Sequence, residues 1–213
     1  MKVVIFGASG KTGQHLIQQA LAQGHTVTAF ARRPESIISA PAPGLTVIQG
    51  DIHDGAAVAA AIAGQDVALS ALGARNLARS DVLQTGVGNI LAGMATHGVN
   101  RFIALGAAGI YPEAMKYQGA MTRLSFKFFV ATLLKEPFRS QRAQERLLES
   151  SSAAYTIARP PRLLDRALTE HYRVQEDGLP PGGMTIPRAD VADFMIRQLT
   201  DTKWLRKGPY IAT

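Results

Sequence analysis

Three glycines at regular spacing stand near the start of the sequence, in the run Gly7-Ala8-Ser9-Gly10-Lys11-Thr12-Gly13. A β-branched run at residues 3–6 precedes them, and a segment of helical periodicity at residues 12–23 follows. Glycines at this spacing allow a tight turn, a close approach of the backbone to a pyrophosphate and close packing of helix on strand, while the helix N-terminus offers amides to phosphates. Strand, glycine run and helix together predict a dinucleotide-binding site.

The same run also resembles the end of a nucleoside triphosphatase loop, because Gly10, Lys11 and Thr12 are consecutive. That loop requires a further glycine five positions before the Gly-Lys pair. The residue at that position is Ile5, inside the predicted strand. The spacing therefore does not fit ATP or GTP hydrolysis.

The residues that end the second predicted strand distinguish between dinucleotides. NAD-selective sites place a carboxylate there, roughly 20 residues after the glycine motif, to accept a hydrogen bond from the ribose 2′-hydroxyl. This sequence has Arg32 and Arg33 instead. Guanidinium groups suit a 2′-phosphate, with which a charged hydrogen bond contributes roughly 1.5–3 kcal/mol. We predict NADP(H) as the cofactor, with Arg32 as the main contact and Arg33 as either a second contact or solvated surface.

Other candidate ligand residues follow the third and fourth predicted strands. Asp51 and Ile52 come after the third strand, and we expect them to receive the amino group and ring of adenine. Leu72 and Gly73 come after the fourth strand, and the glycine lets the chain pass close to a cofactor. Arg75 follows them and is expected to meet a phosphate or a substrate carboxylate. Open α/β sheets bind ligands at the carboxyl ends of their strands, which is where all five residues fall.

The order of predicted elements indicates the fold class. Strands are predicted at residues 3–6, 26–31, 45–49, 66–72, 101–106 and 154–158, with helices at 12–23, 55–63, 80–97 and 139–150 between them. Such alternation predicts an α/β protein with a Rossmann-like, doubly wound parallel sheet and helices on both faces. We expect a single domain, with a cofactor-binding core over about 1–158. Residues 159–213, here called the C-terminal lobe, are expected to form a small substrate lobe with a last helix at 189–199 and a strand at 210–212.

Composition narrows the function classes. The chain has 213 residues, 46% of them hydrophobic and 18% charged, as in folded globular proteins. It contains no cysteine, which excludes a disulfide framework, a thiolate nucleophile and a cysteine-based metal site. The five histidines form no metal-ligand spacing, so no metal is expected and each is interpreted as surface or capping.

The charge balance raises the question of an anionic partner. The net charge is +7, but the basic residues are scattered among acidic and apolar ones, and aromatic residues make up only 7% of the chain. Nucleic-acid binding is therefore not expected. No apolar run reaches the length of about 18 residues that a membrane-spanning helix needs, so no membrane span is expected. We expect a cytoplasmic protein that is a monomer or a dimer.

Taken together, these motifs resemble a known family. They are similar to motifs of the flavin reductase/biliverdin-IXβ reductase family. The segments that carry the resemblance are the glycine run, Ala31-Arg32, Gly50-Asp51, Gly64-Gln65-Asp66, Leu72-Gly73-Ala74-Arg75-Asn76, His97-Gly98-Val99 and Arg159-Pro160-Pro161. That family belongs to the atypical short-chain dehydrogenases, near the NmrA-like proteins. The resemblance runs from residue 2 to about 199 and is weakest between residues 111 and 138. It implies an NADPH-binding protein that passes hydride to flavins or other planar acceptors such as biliverdin.

The resemblance also implies residue roles. Gly7, Ser9, Gly10, Lys11 and Thr12 would hold phosphates, Arg32 the 2′-phosphate, Asp51 and Ile52 the adenine, and Leu72, Gly73 and Arg75 the nicotinamide half; Gly13 and Pro160 complete the expected cofactor-binding set. Two positions depart from the family. Ala107 replaces the serine usually found after the fifth strand, and Arg162 replaces the histidine after the Pro-Pro pair. Because these positions handle the substrate or the cofactor in the family, Arg75, Ala107 and Arg162 are the substrate-side candidates.

The sequence lacks the tyrosine–lysine pair that provides the catalytic acid of conventional short-chain dehydrogenases. Those enzymes use a tyrosine with a lysine four residues later, which lowers the tyrosine pKa for proton relay. The residues four after the first four tyrosines here are Met115, Met121, Arg159 and Glu176, and Tyr210 lies too near the end. Alcohol–ketone interconversion by that mechanism is therefore disfavoured, whereas a flavin has its own electron sink and can take its proton from water.

Two functions remain open. The first is an NADPH-dependent reductase of a flavin, quinone, tetrapyrrole or other planar conjugated acceptor, with residues 114–138 either a lid over it or a helix that packs on the core or on a subunit surface. The second is a non-catalytic NADP(H)-binding redox sensor of NmrA-like type, which the absent tyrosine–lysine pair, Ala107 and Arg162 favour.

Overall fold

The computed structural model describes residues 1–38, 41–73, 81–133 and 135–213, with side chains described outside 127–137. Its centre is a six-stranded sheet of β1 (Lys2–Phe6), β2 (Thr26–Ala31), β3 (Leu45–Gln49), β4 (Val67–Ser70), β5 (Arg101–Leu105) and β6 (Ala154–Ala158). The strand order is β3-β2-β1-β4-β5-β6, and every neighbouring pair is parallel. This is the doubly wound order, in which the direction of winding reverses between β1 and β4. The predicted fold class is confirmed.

Helices cover both faces of the sheet: α1 (Lys11–Ala22), α2 (Gly55–Ile62), α3 (Val82–His97), α4 (Ala120–Leu133), α5 (Lys135–Ser150) and α6 (Arg188–Arg197). Alternate residues of β1 belong to two hydrophobic clusters, one on each face of the sheet. Val3 and Ile5 pack with α1 and α6, whereas Val4 and Phe6 pack with α2 and α3, and all four are fully buried. Apolar residues on both faces explain why this strand is continuously hydrophobic. None of the helices within the described ranges is long and apolar enough to cross a membrane.

The C-terminal lobe contains four short strands in two pairs: β7 (Arg162–Leu164) with β9 (Thr185–Pro187), and β8 (Arg173–Gln175) with β10 (Tyr210–Ala212). Isolated bridges from Lys207 to Thr156 and from Tyr210 to Arg159 attach it to the free edge of β6. The prediction included β10, whose three residues are all buried, but missed β7, β8 and β9, whose three-residue segments carry too little apolar periodicity to be recognised.

Several predicted boundaries were wrong. The fourth strand runs over 67–70 instead of 66–72, although single main-chain hydrogen bonds from Asp66 to Lys2 and from Ala71 to Phe6 extend its pairing with β1 at both ends. Helix α5 begins at Lys135 instead of 139, and α6 ends at Arg197 instead of 199. Helix ends depend on capping and tertiary contacts, so periodicity locates them only approximately.

A buried ion pair joins α5 to the end of β6. Glu145 is fully buried, and its Oε2 lies 2.5 Å from Nη2 of Arg159. The Arg159 guanidinium also lies over the ring of Tyr111, 4.6 Å from its centroid. Burial raises the pKa of Glu145, an effect that Arg159 opposes. The pair therefore fixes the strand end beside Gly106, where an added Cβ would lie 3.2 Å from Oε1 of Glu145.

Replacing Glu145 tests how much this pair stabilises the fold. The substitution Glu145→Gln should lower the free energy of unfolding by about 3 kcal/mol, because it leaves a largely buried guanidinium without its counter-charge. Glu149→Gln, on the exposed side of the same helix, is the matched control and should change stability by under about 0.5 kcal/mol. Urea unfolding of both variants gives the comparison, and equal stabilities would show that the pair contributes nothing net.

A second prediction concerns the glycine that packs α1 on the loop before it. A Cβ on Gly13 would lie 2.3 Å from the carbonyl oxygen of Gly7, which is backbone and cannot move aside. Gly13→Ala should therefore destabilise the protein by about 2 kcal/mol or more. Gly88 is also helical but has nothing within 4 Å of its Cβ position, so Gly88→Ala should be neutral or stabilise by up to about 1 kcal/mol. Thermal unfolding distinguishes the two; a tolerated Gly13→Ala would contradict the close packing.

Candidate functional site

The glycine loop lies at the carboxyl end of β1, beside the end of β4. Gly7 has a φ of 74°, in the left-handed region, and a Cβ there would lie 2.7 Å from the carbonyl carbon of Ala71. The amide of Gly10 donates to the carbonyl of Gly7 at 3.0 Å, which closes the turn. The positive φ and the close approach of Ala71 both require a residue without a side chain at position 7. At Gly7 the loop therefore presents only backbone, at the point where the direction of winding reverses between β1 and β4.

Helix α1 begins directly after this loop. Its N-cap residue is Gly10, which has no side chain to bind the amides of the first turn. Four amides at a helix N-terminus lack partners within the helix, and the helix dipole places partial positive charge there. Thr12 is buried and Ser9 is half-buried beside them. A loop with glycine at positions 7, 10 and 13, followed by a helix N-terminus without a side-chain cap, fits a dinucleotide pyrophosphate.

Lys11 has a partner that the sequence did not indicate. Its Nζ lies 2.5 Å from Oδ2 of Asp165, and the other oxygen of that carboxylate binds Arg188 at the start of α6. This pairing joins the first residue of α1 to the C-terminal lobe. The Lys11 side chain, expected to hold a phosphate, is thus engaged by a carboxylate, and to bind one it must exchange or share that partner.

The arginines that end β2 lie on the surface at the same edge of the sheet. The side chains of Arg32 and Arg33 are exposed, and the carbonyl of Arg33 accepts the amide of Ser36 at 3.0 Å in a short helical turn. The pKa of Asp51 is lowered mainly by hydrogen bonds from His53 and in smaller part by the positive charge of Arg32, and Ala31 pairs with Gln49 in the sheet. Arg32 therefore stands where the sequence expected it, at the carboxyl edge and next to the turn that follows β3.

That turn holds a histidine between two carboxylates. Nδ1 of His53 lies 2.8 Å from Oδ1 of Asp51, and Nε2 lies 3.4 Å from Oδ1 of Asp81, immediately before α3. The amide of His53 also donates to Asp51 at 2.9 Å. These hydrogen bonds lower the pKa of Asp51 and raise the pKa of His53. The sequence interpretation of His53 as a surface or capping residue missed this bridge, since Asp81 is 28 residues away.

Two expected contact residues are packed into the structure. Ile52 is only 7% exposed and belongs to the core, and a Cβ on Gly86 of α3 would lie 2.6 Å from its Cγ1. Leu72 is half-buried against the same cluster. Ile52 therefore offers little of its side chain to an adenine ring. Gly73 is exposed, and Arg75 lies outside the described residues.

The ends of β5 and β6 are joined by main-chain hydrogen bonds. The amide of Gly106 donates to Ala158, and the amide of Ala108 donates to Pro160, both at 2.8 Å. Ala107 lies between these two bonds. The structure therefore places it next to Pro160, which is also one of the predicted site residues. Arg162 is exposed at the start of β7, where its amide donates to Met184 at 3.3 Å.

Solved structures share this architecture over the whole chain. A short-chain dehydrogenase/reductase of Veillonella parvula in complex with NADP has a TM-score of 0.81 at 19% identity, covering 100% of this chain and 94% of its own. An anaerobilin reductase of Escherichia coli O157:H7 has a TM-score of 0.80 at 22% identity, covering 100% of this chain and 97% of its own. At these identities the likeness establishes the fold.

Curated relatives give partial matches. An uncharacterised protein of Mycobacterium bovis is 36% identical over 105 residues, which is 48% of this chain but only 12% of the relative's length. An uncharacterised chloroplast protein of Arabidopsis thaliana is 26% identical over 207 residues, covering 93% of this chain and 71% of the relative. This chain thus spans about an eighth of the first relative.

The match to a family model is more extensive. The model described as NAD(P)H-binding covers residues 7–202, from the first glycine of the loop to beyond α6. The predicted binding of a nicotinamide dinucleotide is thereby confirmed at the level of the family. The chain belongs to the NAD(P)H-binding family.

Proposed function

We propose that this protein is an NADPH-dependent reductase that passes hydride to a planar conjugated acceptor. The observation that carries the proposal is the end of β2, where Arg32 and Arg33 stand exposed in place of a carboxylate. A carboxylate there would repel a 2′-phosphate, whereas a guanidinium binds it with a charge-assisted hydrogen bond. The NADP complex of the Veillonella relative supports the same cofactor.

The glycine loop and the start of α1 would hold the pyrophosphate through main-chain amides, and Arg32 the 2′-phosphate. Asp51 would accept from the adenine amino group, and the backbone of Leu72 and Gly73 would line the nicotinamide half together with Ala107 and Pro160. When bound, NADPH supplies a hydride from its nicotinamide ring. The contribution of the chain is to bind, to orient the two partners and to exclude water from the ring.

The acceptor class is proposed from the lack of a tyrosine–lysine pair. No tyrosine has a lysine four residues later, so this chain lacks that means of protonating an alkoxide. A flavin, quinone or tetrapyrrole delocalises the added electron pair and takes its proton from water, which removes the need for such a residue. The reductase of a tetrapyrrole among the structural relatives supports this acceptor class. Residues 159–213 are proposed as the substrate lobe of a single domain.

A non-catalytic sensor is the second candidate. Ala107, after β5, carries no hydroxyl, and Arg162 is not an acid or base near neutral pH. A protein with this site would bind NADP(H) and change its affinity for a partner protein with the redox state of the nucleotide. Turnover separates the two candidates.

Substitution of Arg32 tests the cofactor assignment. Arg32→Ala should raise the Kd for NADPH about 10- to 100-fold through loss of a charged hydrogen bond, and leave the Kd for NADH within about twofold. Isothermal titration calorimetry measures both. Lys2→Ala removes an equal charge from the opposite edge of the sheet and should change neither value. Equal losses for NADPH and NADH would remove the 2′-phosphate assignment.

Turnover with a panel of acceptors tests the reductase itself. NADPH oxidation should be stimulated by at least one of FMN, riboflavin, a quinone and biliverdin, and deuterium from 4-deuterated NADPH should appear in the reduced product when its carbon is the hydride acceptor. The assay is followed by absorbance at 340 nm. Tight NADP(H) binding without turnover on any acceptor would favour the sensor.

A further inference from the structure

We propose that His53 is a specificity-determining residue of the cofactor site: by bridging Asp51 and Asp81 it cancels negative charge that would otherwise oppose a 2′-phosphate at Arg32. The inference rests on the NADPH site proposed above and adds to it a residue that neither the glycine motif nor the arginines indicate. It assigns a role to the turn between β3 and α2, which carries both acidic and basic side chains.

The geometry places His53 between two separate elements. Asp51 and His53 lie in the turn between β3 and α2, and Asp81 precedes α3. Each ring nitrogen faces a different carboxylate, at 2.8 Å and 3.4 Å, so a doubly protonated ring can donate to both at once. The side chain of His53 is 40% exposed, which leaves the bridge open to solvent protons.

The charges around this bridge decide what an incoming phosphate meets. Among the described residues, Asp51 and Asp81 face the ring, and Arg32, which follows β2, acts on Asp51. With the ring neutral, neither carboxylate charge is balanced, and Asp51 partly offsets the attraction of Arg32 for an anion. With the ring protonated, one of those charges is balanced and Arg32 attracts a 2′-phosphate more strongly.

The dependence on pH follows from the direction of the titration. Hydrogen bonds to Asp51 and Asp81 raise the pKa of His53 above its usual 6.5, so the imidazolium extends further toward neutral pH. It is lost as the pH rises through the raised pKa, and the preference for NADP(H) over NAD(H) should fall across the same interval. The 2′-phosphate itself ionises near pH 6, a change that wild type and variants share.

The first measurement needs no cofactor. The pKa of His53, followed by NMR of the ring signals in the free protein, should lie above the ordinary 6.5 of an imidazole. Asp51→Asn and Asp81→Asn should each lower it. A pKa of His53 that neither substitution moves would overturn the bridge.

The second measurement compares affinities by calorimetry for NADP⁺ and NAD⁺ between pH 6 and 9. At pH 6.5, His53→Gln should reduce the NADP⁺ preference about five- to tenfold through the uncompensated carboxylate, and flatten its fall with pH. His97→Gln is the matched control and should behave as wild type. The double variant His53→Gln/Asp81→Asn should regain most of the preference, because it removes the charge that the imidazolium had balanced.

The outcomes separate this inference from the proposed function. Binding of NADP⁺ with the same preference and pH profile in wild type and His53→Gln overturns the role of His53 alone. A loss that the double variant does not restore overturns the electrostatic explanation and makes the ring a positioning element of the turn. Failure of the wild-type protein to bind either dinucleotide overturns the proposed function together with this inference.

Discussion

The contact on which the whole site depends is the approach of three backbone segments with no side chain between them. At Gly7 the loop lies against the backbone after β4, and at Gly13 the first turn of α1 lies against the same loop, both at distances that a Cβ would violate. This contact sets the direction of α1 relative to the sheet and therefore the direction of its free amides. Hydrophobic packing of α1 on β1 and α6 then holds the helix in place.

Local sequence predicted the elements but not the long-range pairs. Residues 26–31, 45–49 and 154–158 form strands within the predicted limits, because short apolar runs rich in β-branched residues and bounded by glycine or polar residues favour a strand locally. Arg32 was recognisable for the same reason, since its position is fixed by counting from a strand end. Three of the short strands of the C-terminal lobe, β7, β8 and β9, have no such local signature and pair with partners elsewhere in the chain.

The ion pairs of the site illustrate what the sequence could not predict. Lys11 and Asp165 are 154 positions apart, and Glu145 and Arg159 are brought together only when α5 packs beside β6. His53 appeared as an isolated histidine because its second partner precedes a different helix. Spacing reveals chemistry within one element, whereas pairing across elements depends on how the sheet is wound.

The contact between Lys11 and Asp165 links the first residue of α1 to residues 159–213. Both side chains are more than half exposed, and ion pairs of that kind stabilise a fold by at most about 1 kcal/mol. An anion that competed with Asp165 for Lys11 would therefore cost the protein little stability, and Asp165 would keep its hydrogen bond with Arg188. The contact between the start of α1 and the C-terminal lobe thus depends on which anion Lys11 binds.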